Sequence, residues 1–253
     1  MTYEAGSTVL AVIPARFAST RFPGKIIAPL AGKPLVVHTY EQTRKAALVS
    51  DVLIATDDQR VLEAVRPYNV HAIMTRADHP SGTDRIAEVA ANADADIIVN
   101  VQGDEPLIDP GTIDAAIQPL LDDAELPMAT VRHLLTDPGA IADPNMVKVV
   151  CDHRGRALYF SRHPIPYIRD EQGRASPPPC YWQHVGLYVY RRRFLLQYAQ
   201  MPQTPLEQLE NLEQLRVLER GFAIAVVETK HASIGVDTPE DLERVRMQLQ
   251  NHQ

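Results

Sequence analysis

Three features of the sequence predict an α/β fold with a mostly parallel sheet flanked by helices. Short apolar runs alternate with amphipathic segments of about 10–15 residues, the rhythm of βαβ units. The first run, Val9-Leu10-Ala11-Val12-Ile13, is apolar at consecutive positions, as a strand covered on both faces requires. The runs end in loops rich in charge, glycine and proline, at the strand ends where open parallel sheets bind ligands.

After that strand, Pro34 to Leu48 reads as a helix, Val52 to Ala55 as a strand ending at Asp57-Asp58, and Gln59 to Arg66 as a helix. Val70 to Met74 is the third strand, Thr83 to Asn92 a helix, and Asp96 to Val101 a strand that runs into Gln102-Gly103-Asp104-Glu105-Pro106. The crossovers should be right-handed. From about 127 to 190 the pattern becomes strand-rich, with Met128 to Val131, Val147 to Cys151 and Val185 to Tyr190 as strands. This part reads as a sheet extension or small inserted subdomain within one domain spanning 1–253. Its loop Arg169 to Pro179 holds Gly173 and three consecutive prolines. The α/β rhythm then returns with a helix from Pro205 to Glu219, a strand from Phe222 to Val227, a short strand through Gly235-Val236-Asp237, and a helix from Pro239 to Leu249.

Composition excludes several classes of function. The chain has 253 residues, 45% hydrophobic and 23% charged, ordinary globular material able to bury a full core. Its net charge of −7 argues against a nucleic-acid binder with a broad basic surface, so any anion site must be local. Cys151 and Cys180 lack metal-ligand spacing, and no charged segment followed by an apolar one opens the chain. A cytoplasmic protein is therefore expected. No apolar stretch approaches the roughly 18 residues of a membrane span, so no membrane insertion is expected either.

One local anion site stands out after the first strand. Arg16, Arg21 and Lys25 all lie in the loop beyond it, with Ser19, Gly24 and Gly32 offering close backbone approach to phosphate oxygens. This loop is not a Walker A motif, because Pro34 follows Gly32-Lys33 and no glycine stands five residues before Gly32. It is either a triphosphate site or a solvated basic loop. Asp104 belongs to the same predicted sheet edge, and Asp237 precedes a helix with Thr238 as N-cap, Pro239 at N1 and Asp241 at N3. Carboxylates beside phosphates suit Mg²⁺, although aspartate also serves turns and caps. Between Thr75 and Arg85, Ser81 or Thr83 is positioned to cap a helix, Gly82 permits close approach, and Arg76 adds a cation. Farther on, alternation puts Val185, Leu187 and Val189 on one strand face and His184, Gly186, Tyr188 and Tyr190 on the other. That second face is either structural or the floor of a pocket for a hydroxyl-rich ligand. Glu207, Glu210 and Glu213, at three-residue spacing after a Thr204-Pro205 helix start, read as a solvated stripe.

From Val9 to about Arg246 the chain resembles the 3-deoxy-manno-octulosonate (Kdo) cytidylyltransferases. The resemblance rests on ordered motifs: Ile13-Pro14-Ala15-Arg16 with Pro23-Gly24-Lys25, Met74-Thr75-Arg76-Ala77-Asp78-His79 with Ser81-Gly82-Thr83, Gln102-Gly103-Asp104-Glu105-Pro106, Val147-Lys148-Val149-Val150, Tyr159-Phe160-Ser161-Arg162, Leu212-Glu213-Gln214-Leu215-Arg216, and Gly235-Val236-Asp237-Thr238-Pro239-Glu240-Asp241. It implies a glycosyltransferase-A-like Rossmann sheet and transfer of CMP from CTP to the anomeric hydroxyl of Kdo, releasing pyrophosphate and activating Kdo for lipopolysaccharide biosynthesis. By the same resemblance, Ala15, Arg16, Arg21, Lys25, Arg76, Ser81, Gly82, Thr83 and Asp104 would bind nucleotide, and Arg16, Lys25, Asp104 and Asp237 would carry catalysis. Asp104 and Asp237 would hold Mg²⁺, while Gln102, Arg162, His184, Tyr188 and Glu213 would bind the sugar. A homodimer built partly from the strand-rich segment is also implied. Phe17, Phe22 and the Arg169 to Pro179 loop depart locally from the family pattern. Two rivals stand beside this reading: a cytidylyltransferase for another acidic sugar, such as 8-amino-Kdo or a sialic acid, and a non-enzymatic nucleotide-binding regulator.

Overall fold

The computed structural model describes residues 7–18, 21–169, 180–231 and 234–251. Ser19 and nearly all of the 169–179 loop lie outside them. The described residues form a nine-stranded sheet. Its strands are β1 (Val9–Ala15), β2 (Asp51–Thr56), β3 (Ala72–Met74), β4 (Ile97–Asn100), β5 (Met128–Leu134), β6 (Lys148–Cys151), β7 (Ala157–Ser161), β8 (Trp182–Arg191) and β9 (Ile224–Thr229). The main order is β9-β5-β8-β4-β1-β2-β3, with β6 and β7 attached as a hairpin through β8. β1 pairs in parallel with β2 and β4, and β5 with β9, whereas β8 runs antiparallel to β4, β5 and β6. Strand order therefore reverses at β1, with β2 and β3 on one side and β4 on the other, a switch point that opens a crevice beyond the carboxyl ends of β1 and β4.

Two apolar layers sandwich this sheet. Ala11, Ile13, Val99, Val185, Leu187 and Val189 face one core, beneath the helices α1 (Leu35–Thr43) and α4 (Pro110–Asp122). Leu10, Val12, Ile98 and Tyr190 face the other, beneath α3 (Gly82–Ala91) and α6 (Arg192–Tyr198). The expected alternation along β8 holds despite a register shift between Val185 and Tyr188. Short helices α2 (Gln59–Val65) and α5 (Pro138–Ala142) complete the first half. A third small cluster, Leu30, Leu35, Val236, Leu242 and Val245, seats α9 (Pro239–Asn251) beside the β1 loop.

Several elements differ from the sequence reading. The first helix stops at Thr43 rather than Leu48, because the Asp114 carboxylate of α4 takes the Ala47 and Leu48 N–H groups (2.9 and 2.8 Å). α4 itself, with Asp109 as N-cap and Pro110 at N1, occupies a stretch to which the sequence reading assigns no element, as do α6 and β7. The helix predicted from Pro205 to Glu219 is two short ones, α7 (Pro205–Glu210) and α8 (Leu215–Glu219), broken where Asn211 turns left-handed (φ 52°). Residues 234–237 form no strand; Val236 N–H instead reaches the Asp104 carbonyl at 2.8 Å.

Candidate active site

The β1 loop and the β4 turn meet at the switch point with almost no space between them. A Cβ on Gly103 would stand 2.8 Å from the Pro14 carbonyl oxygen, so only glycine lets the two strand ends approach this closely. Thr39 of α1 fixes the same turn by donating to the Gly103 carbonyl at 3.0 Å. Ala15 is buried and accepts a hydrogen bond from Thr56 Oγ1 at 2.7 Å, which sets the point at which Arg16 leaves the sheet. Phe17, one of the local departures, packs beneath the Arg60 guanidinium, 3.5 Å from its ring centre.

Lys25 lies at the centre. Its Nζ donates to Asp104 Oδ2 (2.6 Å) and Asp237 Oδ1 (2.9 Å), and Arg21 reaches Asp237 Oδ2 at 3.1 Å. Burial by itself would depress the Lys25 pKa, but the two carboxylates outweigh it and the pKa is raised, so the ammonium stays charged. The Asp241 carboxylate at the head of α9 holds Asp237 by accepting from the Asp237 and Thr238 N–H groups (3.0 and 2.9 Å). Arg16, Arg21, Lys25, Gln102, Asp104 and Asp237 line one cavity of about 390 Å³, and Gly82 completes its wall. The point on which the two carboxylates converge is occupied by the Lys25 ammonium, and Arg21 takes the second Asp237 oxygen, so a Mg²⁺ held by Asp104 and Asp237 would have to share or displace these cations. Among the described residues there is no cluster of three or more His, Cys, Asp or Glu.

The next loop supplies a second wall. Ser81, not Thr83, caps α3, accepting from Asp84 N–H at 3.2 Å. Thr83 donates instead to Glu213 Oε2 at 2.7 Å, tying the nucleotide loop to the predicted sugar side. Arg76 extends to the surface, with Asp78 and Glu88 3.6 and 3.7 Å from its Nε.

Because β8 is antiparallel, its first half lies at the same sheet edge as Gln102. A Cβ on Gly186 would come 3.6 Å from Gln102 Cγ, so the glycine leaves room between strand and turn. His184 is buried, hydrogen-bonded to Thr130 Oγ1 (2.9 Å) and edge-on to Phe160, and burial lowers its pKa to about 3. It is a neutral imidazole at neutral pH, which suits a hydrogen-bonding group and not an acid. Tyr188 Oη donates to Gln214 Oε1 at 3.3 Å, and burial keeps its phenol protonated. Burial likewise raises the Glu213 carboxyl. A second cavity of about 720 Å³, lined by Ser81, Asp84, Glu213 and Arg216, opens between α3 and the α7–α8 junction.

Three side chains behave differently from the sequence reading. Arg162 directs its guanidinium at the carbonyls of Glu210 (2.7 Å), Pro144 (3.0 Å) and Asn211 (3.2 Å), so the structure shows it as a loop clamp. Glu207 and Glu210 are not solvated. Glu207 is 3% exposed and forms a bidentate pair with Arg216, and Glu210 accepts from Ser161 Oγ and Arg162 N–H (2.6 and 2.9 Å). Gln214, next to Glu213 in its motif, is the residue that sequence reasoning passed over; it contacts both His184 and Tyr188.

A family model for cytidylyltransferases matches residues 10–229. The chain is 56% identical to a 3-deoxy-manno-octulosonate cytidylyltransferase of Solibacter usitatus, over 94% of this chain and 92% of that one. It is 57% identical to the protein of the same name in Geobacter metallireducens, over 97% and 99% of the two chains. The chain belongs to the 3-deoxy-manno-octulosonate cytidylyltransferase family. A solved CMP:2-keto-3-deoxy-manno-octonic acid synthetase complexed with CTP superposes with a TM-score of 0.91 at 46% identity, covering 98% of this chain and all of that one. A 4-diphosphocytidyl-2C-methyl-D-erythritol synthase from Anaerococcus prevotii, 14% identical with a TM-score of 0.61 over 96% and 98% of the chains, shares the fold.

Proposed function

We propose that this family member transfers CMP from CTP to the anomeric hydroxyl of Kdo, with pyrophosphate leaving. The observation that carries the reading is the convergence of Lys25, Asp104 and Asp237 at the switch point, within one cavity that also holds Arg16, Arg21 and Gln102. The sugar oxygen attacks the α-phosphorus, a new P–O bond forms as the bond to pyrophosphate breaks, and the sugar proton passes to water. Such chemistry asks the protein chiefly to position two anions and to neutralise charge.

Arg16, Arg21 and Lys25 hold the triphosphate and stabilise the leaving pyrophosphate. The backbone at Ala15, Ser81 and Gly82, with Thr83 and Arg76, encloses the nucleotide. Asp104 and Asp237 would hold Mg²⁺, which when bound neutralises phosphate charge and favours ionisation of the attacking hydroxyl. Gln102, His184, Tyr188 and Glu213 form the sugar side, where a neutral imidazole, a protonated phenol and an amide offer hydrogen bonds to hydroxyls. Arg162 would support that side through the 210–211 turn that it clamps. A homodimer resting on the 127–190 segment is part of the proposal, supported by the exposed Leu158 and Tyr167 there. So is a cytoplasmic location, supported by the free thiols Cys151 and Cys180. Among the described residues no helix is long and apolar enough to cross a membrane.

The test is pyrophosphate release with each component omitted in turn. Release only when CTP, Mg²⁺ and Kdo are all present supports the reading; equal turnover with 8-amino-Kdo or a sialic acid would overturn the sugar assignment.

A further inference from the structure

Arg16 is aimed by backbone carbonyls. Its Nη2 donates to the His79 carbonyl at 2.8 Å and its Nη1 approaches the Pro80 carbonyl at 3.4 Å, and among the described residues no carboxylate pairs with it. The guanidinium thus keeps its charge for an incoming anion while its direction depends on where the 75–80 loop lies. That loop is held by two side chains of α3. Arg85, fully buried, donates to Thr75 Oγ1, to the Arg76 carbonyl (3.3 Å) and to Asp57 Oδ2 (2.7 Å). Glu88, one turn along the same helix face, accepts from Arg76 N–H (3.2 Å) and from the buried His79 ring. Both backbone polar groups of Arg76 are therefore gripped from one helix, and the His79 ring is pinned just where its own carbonyl receives Arg16.

We propose that Glu88 is a positioning residue for the transfer reaction: through His79 it fixes the carbonyls on which Arg16 docks, and so places Arg16 against the triphosphate. Arg85 and Asp57 hold the other end of the same loop. The inference rests on the triphosphate role proposed for Arg16. Glu88 does not line the cavity that holds Arg16, and its effect on nucleotide passes through that arginine.

A double-variant cycle on the full chain separates this from simple loop anchoring. Glu88→Ala is expected to raise KM for CTP about tenfold, the scale of a sub-ångström misplacement, with KM for Kdo within about twofold. Glu88→Gln, which keeps an oxygen acceptor for both donors, should recover most of the loss. In an Arg16→Ala background, Glu88→Ala should add less than about twofold, because the residue it positions is gone. Full additivity in the double variant, or an equal rise in both KM values, overturns the proposal. An Arg16→Ala enzyme with unchanged KM for CTP also overturns it, and places the failure in the role of Arg16 rather than in its link to Glu88. Where Glu88→Ala does not fold, His79→Asn runs the same cycle with the same outcomes.

Discussion

Gly103→Ala is the sharpest test of the switch-point geometry. The new methyl would begin 2.8 Å from the Pro14 carbonyl oxygen and 3.2 Å from Ile26 Cδ1, whereas ordinary contact starts at 3.4 Å. The Ile26 side chain can turn away, but the Pro14 oxygen belongs to β1, so the strand ends must separate by about 0.6 Å. That displacement falls between Arg16 and Asp104, which line the same cavity. With about a hundredfold loss for a 1 Å misplacement, kcat/KM should drop roughly tenfold, or about 1.4 kcal/mol of transition-state stabilisation. Overpacking should also lower stability by about 1–3 kcal/mol. The assay is steady-state pyrophosphate release well below the melting transition, with thermal unfolding in parallel. Gly82→Ala is the stability control, since its Cβ would meet Pro14 Cγ at an unstrained 3.6 Å and leave Tm unchanged. A Gly103→Ala enzyme with wild-type kcat/KM and Tm would refute the claim that this contact sets the site.

Asp104→Ala and Asp237→Ala should each reduce turnover at least about a hundredfold without unfolding the protein, measured by pyrophosphate release and circular dichroism. Glu207→Ala strands Arg216 in a largely buried position, so a loss of about 3–5 kcal/mol and a Tm lower by roughly 10 °C are expected in calorimetry, with weaker Kdo use because Glu213 sits on the same turn. His184, held neutral with a pKa of about 3 against 6.5 when unfolded, makes the unfolded chain bind the extra proton below pH 6.5; stability should fall by about 1.4 kcal/mol per pH unit from there toward pH 3. Urea unfolding at pH 7 and pH 5 should show this slope in the wild type, and His184→Gln should lack it.

Much of the fold was legible because buried parallel strands must be apolar at successive positions, as in Val9 to Ile13, and because helix starts carry their own chemistry. Ser81, Thr204-Pro205-Leu206-Glu207 and Thr238-Pro239-Glu240-Asp241 each mark such a start. The strand-end rule likewise places Arg16, Lys25 and Asp104 at one edge, where the structure has them lining one cavity. Asn211 hid the break between α7 and α8, because a single left-handed residue leaves the apolar spacing around it intact. Pro119 within α4 obscured a helix that Asp109 and Pro110 announce. The burial of Glu207 was out of reach, since a glutamate stripe reads as solvated until Arg216 is known to fold across it. Arg162 is the converse case: a motif supplies the residue, and tertiary contacts alone reveal where its guanidinium is spent.

Lys25 and Asp237 touch although 212 residues separate them along the chain. During synthesis the sheet strands emerge and can pair long before Asp237 leaves the ribosome, so a nascent chain carries the cationic loop for most of its translation with half of its carboxylate pair missing. The loop is completed only when Val236 reaches Asp104 and α9 seats on Leu30 and Leu35. A product cut short before Gly235 would keep its central strands and lack both the Lys25 partner Asp237 and the helix that packs on Leu30 and Leu35.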